Sequence, residues 1–215
     1  MVELISRFTS LPGYGLGGLF VLLLYAVESE IRFGSRARTV RTGPSDHNST
    51  LAVSLSAAVP VLGFVLSIRS SSVDLATWLP HWFRIAAMPG LPAVAWMGVL
   101  LGLLGVGLRL WALLTLRERY TRTLFVQDEH LIERGGPYRW IRHPGYLGSL
   151  LCLNGIALAS GNWVTLLASL VATSAAYSYR IKVEDEMLVR SLGEPYAVYR
   201  REVRALLPWV RPSDA

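Results

Sequence analysis

The chain has a single cysteine, Cys152, so no intrachain disulfide can staple it. Cys152 lies within an apolar block and reads as a small packing residue. Charge is also scarce. Of the 215 residues, 17% are Asp, Glu, Lys or Arg and 52% are hydrophobic, too apolar a balance for a soluble fold of this size. No Cys/His cluster with metal-ligand spacing and no Ser-His-Asp set can be read, so the sequence points to neither metal nor triad chemistry. Internal repeats and low-complexity segments are lacking. The first apolar block runs into Glu28, Glu30 and Arg32 instead of a small-residue cleavage site, so no cleavable signal peptide is expected.

The apolar residues come in long blocks, which predicts an all-α integral membrane protein with about five transmembrane helices in one domain, 1–215. The expected spans are 11–31, 50–68 and 93–116, then a helical hairpin with arms 146–159 and 163–179 about a turn at Gly161-Asn162. The first arm is short. Its 14 residues reach roughly 21 Å, below the ~30 Å hydrocarbon core. Trp78, Trp82 and Phe83, among Pro80, Pro89 and Pro92, read as an interfacial loop. Beyond residue 179, Ile181, Met187, Leu188 and Leu192 predict an amphipathic tail helix near the membrane surface, stopped at Gly193-Glu194-Pro195. A second short helix is expected over 196–206.

The net charge of +6 would suit nucleic acid, but the basic residues sit in loops between apolar blocks. Seventeen of them fall in 32–49, 117–145 and 180–215, against Arg7, Arg69 and Arg84 on the other side. Positive charge accumulates inside, so the tail is expected in the cytoplasm and the N-terminus outside. The environment expected from this is a lipid bilayer, with neither nucleic acid nor an obligate protein partner.

Several short patterns have structural readings. Gly13–Gly18, GYGLGG, matches a dinucleotide fingerprint in letters only, because it opens a membrane helix with no strand before it. Gly98, Gly102, Gly105 and Gly107 are expected to permit close helix packing. Asn48-Ser49-Thr50 is read as a helix cap. Arg109, about two turns inside its span, either snorkels to the surface or lines a polar cavity.

The stretch GPYRWIRHPGYLGSLL, residues 136–151, carries more chemistry. Pro144 suits a first helical turn, which predicts unpartnered N–H groups at Tyr146 and Leu147 and hence an anion-attracting end. Arg142 and His143 sit beside it, and His143 is expected at a water-accessible membrane surface with a binding role. Arg180 and Glu184, four apart on one helical face, form at least an ion pair. The hairpin returns them beside His143, at the mouth of an apolar bundle. A molecule with a polar head and a greasy tail would dock there.

RHPGYLG, then the acidic pair Glu184-Asp185, then GEPYAVYRREV and LLP, together resemble the isoprenylcysteine carboxyl methyltransferase family, to which phospholipid methyltransferases are related. The resemblance covers about 109–209, while the first hundred residues are similar only as membrane helices. The family usually has two glutamates where this chain has Glu184-Asp185. The resemblance implies S-adenosyl-L-methionine as cofactor, held by His130, Leu131, Ile132, Glu133, Tyr138, His143, Pro144, Gly145, Tyr146 and Glu184, with Gln127 available upstream. Arg180 would bind the acceptor, and Arg180 with Glu184 would carry the catalysis. The acceptor implied is lipophilic and bears a carboxylate. Alternatives are a phospholipid amine, which needs a route for proton loss, an NADPH-dependent steroid-reductase-like enzyme, which also carries Tyr…Arg-His-Pro, and a non-enzymatic scaffold.

Overall fold

The computed structural model describes residues 18–30, 46–70, 82, 91–116 and 132–207. The described elements are helices α1 (Gly18–Glu30), α2 (Ser49–Ser70), α3 (Leu91–Leu116), α4 (Pro144–Ala159), α5 (Trp163–Leu192) and α6 (Glu194–Glu202), with a 3-10 turn at Gly136–Arg139. No strand occurs among the described residues, only an isolated parallel bridge between Ile141 and Arg204. The expected spans at 50–68 and 93–116 are therefore realised as α2 and α3. These two are long and apolar enough to cross a membrane by length and composition. Of the expected span 11–31, residues 18–30 are helical and the rest lies outside the described residues, as do Trp78, Pro80, Phe83 and Pro89, while Pro92 falls in the first turn of α3. Trp82 is helical and exposed.

Helix α4 sits at the centre, packed against α1, α2, α3 and α5. It is buried on several faces at once, from Pro144 and Gly148 through Cys152 and Ile156 to Ala159. A helix apolar all round belongs in such a position. Its closest partner is α3, and the two run antiparallel with small residues face to face. A Cβ added to Gly105 would lie 2.5 Å from the backbones of Gly148 and Cys152. One added to Gly155 would meet the backbone of Gly102 at the same distance, and one at Gly98 would strike Gly155 and Ala159. Gly107 departs from the expectation, since nothing among the described residues lies within 4 Å of its added Cβ. It points away from the seam that Gly98 and Gly105 form with α4, and a Cβ added to Gly102 would meet the Val21 side chain of α1 at 2.5 Å.

The hairpin turns where the sequence places it. Gly161 takes φ 64°, and the Asn162 side chain accepts from the N–H groups of Val164 (3.0 Å) and Thr165 (3.1 Å), capping α5. Inside the hairpin, Asn154 donates to Thr173 Oγ1 (3.1 Å) and accepts from Ser169 Oγ (2.9 Å). Such interhelical bonds in an apolar medium contribute about 0.6 kcal/mol each on average.

The tail corrects the expectation of a separate surface helix after residue 179. Helix α5 continues unbroken for 30 residues, about 45 Å, to Gly193, whose φ of 66° ends it. No glycine or proline interrupts 163–192, and a change from apolar to charged side chains leaves the backbone hydrogen bonding intact. The short helix after the stop is α6, beginning two residues earlier than expected. Outward-facing Leu55, Leu62, Trp96, Met97, Leu100, Leu104, Leu167 and Val171 are exposed and form an apolar belt suited to lipid.

The α3–α4 seam makes a testable contrast. Gly105→Leu overpacks a backbone contact and is expected to cost about 1–3 kcal/mol, whereas Gly107→Leu is expected to leave stability near wild type. Thermal melting and monodispersity in detergent would separate them. Equal loss in both variants would rule out a specific seam.

Candidate active site at the charged end of the bundle

The N-terminal turns of α2 and α4 and the distal half of α5 meet at one end of the bundle. Each brings polar residues there. His143 is the residue preceding α4, and Tyr146 lies in its first turn. Their rings stack, with centroids 5.3 Å apart and an interplanar angle of 8°. His143 Nε2 lies 3.0 Å from Asp185 Oδ1, and Nδ1 lies 3.8 Å from Glu184 Oε2. The Tyr146 hydroxyl donates to Glu184 Oε2 and accepts from Arg180 Nε at 3.0 Å. The hydroxyl thus stands between Arg180 and Glu184, whose expected proximity across one helical turn is mediated by a residue from α4. Tyr177 adds a third ring, 5.5 Å from that of Tyr146.

Arg180 is held on its other side by α2. Its Nη1 donates to Asp46 Oδ1 (2.6 Å), Ser49 Oγ (2.8 Å) and Thr50 Oγ1 (2.7 Å). Asp46 also accepts from the Thr50 N–H, so it supplies the capping that the sequence assigns to Asn48-Ser49-Thr50. Asp46 carries no local signal of this partnership, because Arg180 lies 134 residues away.

The acidic pair divides into two roles. The Asp185 side chain is 5% exposed and accepts from Arg142 Nη2 (2.8 Å), His143 and the Tyr196 hydroxyl (2.7 Å). Burial opposes its ionisation. The His143 hydrogen bond and charge, the Arg142 charge and the Tyr196 hydroxyl outweigh that and hold its carboxyl well below the usual carboxylate range. An ionised Asp only accepts, so His143 Nε2 carries the hydrogen in this contact. Asp185 also fastens the tail, since Tyr196 lies in α6 and Arg142 reaches on to the carbonyls of Arg200 (2.9 Å) and Val203. Backbone bonds from Arg142 to Arg204 (2.6 Å) and from His143 to Ala205 (3.0 Å) complete the attachment. Tyr199, pushed up to about 12 chiefly by burial, donates to the Tyr138 carbonyl at 2.7 Å. Glu184, by contrast, keeps 23% of its side chain exposed and is the carboxylate open to a ligand.

Two expectations about the helix end are corrected. The N–H groups of Tyr146 and Leu147 both bond the His143 carbonyl at 3.1 Å, because the first turn closes directly on the residue before Pro144. His143 is only 6% exposed, covered by the tail and Tyr146, so it is not at a water-accessible surface. Its truncation would damage packing as well as any binding. Of the other expected cofactor residues, Pro144 is buried, Ile132 and Tyr138 are half-buried, and Glu133 accepts from the Gly135 N–H at 2.8 Å. A Cβ added to Gly145 would meet nothing within 4 Å among the described residues, which leaves open space beside the first turn of α4. His130, Leu131 and Gln127 lie outside the described residues. Arg109 turns inward, donating to Ser149 Oγ with its guanidinium 5.0 Å over the Tyr25 ring. The polar-interior alternative is the one realised.

An apolar helical bundle with an outward belt of exposed apolar side chains and a cluster of paired charges at one end has the character of an integral membrane protein. Residues 97–190 match the isoprenylcysteine carboxyl methyltransferase (ICMT) family. The protein-S-isoprenylcysteine O-methyltransferase of Xenopus laevis is 27% identical over 150 residues, covering 67% of this chain and 52% of that protein. That of Schizosaccharomyces pombe is 37% identical over 83 residues, 38% of this chain and 35% of that protein. The fold is similar to the solved eukaryotic intramembrane Ras methyltransferase ICMT, with a TM-score of 0.52, 21% identity and coverage of 89% of this chain and 73% of that one. The chain spans about half the length of the curated relatives it matches first.

Asp185 generates a stability prediction with a defined sign. Its folded-state pKa is depressed, so its contribution is present above the ordinary carboxylate value near 3.8 and is lost as pH falls through the lower folded value. Tail attachment is therefore expected to persist across pH 5–8. Asp185→Ala leaves Arg142 buried without its partner and is expected to cost about 3–5 kcal/mol. Limited proteolysis of 194–207 should show a freed tail in the variant at neutral pH. An equally resistant tail would disprove the latch.

Proposed function

We propose that the chain, acting as one membrane-embedded unit with its chemistry in 109–209, transfers a methyl group from S-adenosyl-L-methionine to the carboxylate of a lipophilic, isoprenylcysteine-like acceptor. The observation carrying this reading is the Arg180–Tyr146–Glu184–His143 chain at the mouth of an apolar bundle. The family match over 97–190 and the methyltransferase activity named for the relatives support it. They favour a methyltransferase over an NADPH-dependent reductase. The concentration of Lys and Arg in the loops at this end supports a cytoplasmic site with the N-terminus outside.

The residues fit the cofactor. Glu184 offers a partly open carboxylate beside the stacked His143 and Tyr146 rings, a setting suited to a sulfonium cation, and open space lies beside Gly145. His143, Pro144, Gly145, Tyr146 and Glu184 would hold it, with Tyr138 and 130–133 completing the site. When bound, the cofactor supplies an electrophilic methyl group. The protein's own part is alignment. An α-carboxyl has a pKa of about 3.5 and is already ionised at neutral pH, so no general base is needed. Arg180 grips it, the apolar bundle holds the lipid tail, and exclusion of water strengthens both contacts. An amine acceptor would first have to lose a proton, a step that an ionised carboxylate does not need.

Calorimetry with S-adenosylhomocysteine on the detergent-purified protein tests cofactor use, and absence of binding under several lipid conditions would sink the reading. Labelled S-adenosyl-L-methionine with N-acetyl-S-farnesylcysteine, and separately with total lipid extract, identifies the acceptor. Glu184→Gln is expected to weaken S-adenosylhomocysteine binding about tenfold or more. Arg180→Lys keeps the charge but cannot satisfy Tyr146 and the α2 oxygens together, so turnover is expected to fall about 100-fold with cofactor affinity little changed. Equal loss of cofactor affinity in both would mean that Arg180 acts only by holding Glu184.

A further inference from the structure

Arg180 approaches the site from α5, yet the group that fixes its guanidinium comes from the other end of the sequence. Asp46 lies outside the family-matched segment 97–190, immediately before α2. It is 3% exposed and Arg180 is 4% exposed. The carboxylate accepts from Arg180 Nη1 (2.6 Å), Ser49 Oγ (3.0 Å), Thr50 Oγ1 (2.7 Å) and the Thr50 N–H (3.3 Å). Burial works against its charge, but the Thr50 and Ser49 hydrogen bonds and the Arg180 charge outweigh it and hold the carboxyl below its ordinary value. The turn carrying it is itself unusual: His47 and Asn48 take positive φ, 44° and 61°, a region costly for residues with side chains. The Tyr179 hydroxyl holds this turn by donating to the His47 carbonyl at 2.8 Å.

We propose that Asp46, supported by Ser49 and Thr50, is a positioning residue for the acceptor side of the reaction: it holds Nη1 of the Arg180 guanidinium while the Tyr146 hydroxyl holds Nε. The role rests on the acceptor reading above. With Nε on Tyr146 and Nη1 on three α2 oxygens, rotation of the guanidinium breaks several bonds at once. Its direction toward an incoming carboxylate is therefore set before the acceptor arrives. A competing arrangement would have Asp46 occupy the acceptor's own place and leave when the acceptor binds. The observations favour a permanent anchor, because Asp46 retains a cap bond and two hydroxyl donors of its own and is buried with them. The N-terminal turn of α2 thereby belongs to the working site.

The test uses the full chain in lipid nanodiscs and four variants: Asp46→Asn, Asp46→Glu, Ser49→Ala and Tyr179→Phe. S-adenosylhomocysteine affinity, melting temperature, and kcat and KM for N-acetyl-S-farnesylcysteine are measured on each. Asp46→Asn is expected to lower kcat/KM for the acceptor about 10- to 100-fold, with cofactor affinity within about twofold of wild type, and Asp46→Glu to recover part of the loss. Tyr179→Phe loosens the same turn without touching Arg180 and should leave acceptor kinetics near wild type. Where Asp46→Asn fails to fold, Ser49→Ala carries the test, since it removes one Nη1 partner and keeps the carboxylate. It should show a smaller, acceptor-only loss. Unchanged acceptor kinetics overturn the role, as does a lowered KM, which would mean that Asp46 competes with the acceptor. Reproduction of the loss by Tyr179→Phe also overturns it, because general loosening would then suffice. A wild-type protein that binds S-adenosylhomocysteine yet transfers nothing overturns the acceptor reading and this role together, whereas an active wild type with an unaffected Asp46→Asn overturns the role alone.

Discussion

In an apolar medium, two helices gain no hydrophobic drive from meeting and associate by dispersion, small-residue contact and a few polar bonds. The approach of α3 and α4 therefore sets the architecture. Gly98 and Gly105 admit the backbone of α4 along Gly148, Cys152, Gly155 and Ala159, while Gly102 makes room for Val21 of α1. Once α4 lies that deep, its other faces become available to α1, α2 and α5. Its N-terminal turn, with His143 and Tyr146, then opens at the bundle's end beside the emerging half of α5. Displacing α4 outward by a side chain's width would carry Tyr146 away from both Glu184 and Arg180.

The same burial makes charge pairing obligatory. Arg180, Asp185, Asp46 and the Arg142 side chain are all nearly inaccessible, and each has an opposite charge at hydrogen-bond distance. An unpaired ion in such a position would be strongly unfavourable. The pairing has consequences beyond stability. Asp185 joins α5 to the 141–143 segment and α6, and Asp46 joins α5 to α2, so the charged groups are also the joints of this end. Glu184, sitting between these two joints, is the carboxylate that retains exposure.

Much of this was legible beforehand, residue by residue. Apolar runs located α2 and α3, and Gly161-Asn162 located the hairpin turn, because span length and turn chemistry are local properties of the chain. Gly193 located the end of α5 for the same reason. The supposed break near residue 179 was misread because polarity changes there, yet polarity governs the surroundings of a helix and not its continuity. His143 and Tyr146 could be singled out from their motif. The burial of His143 could not, since the covering atoms come from Asp185 and the tail.

The sequence alone determined that this is a helical membrane protein, where its main helices turn and stop, and which motif supplies the candidate site. Each follows from spacing or composition over a few turns. The tertiary structure decided which small residues face a neighbouring backbone, with Gly107 excluded. It also decided which carboxylate of the acidic pair is structural and which stays open, and that Asp46 reaches Arg180 across 134 residues. These are properties of helices packed at particular rotations about their axes, and a rotation is fixed by contacts between segments, which no local stretch of sequence contains.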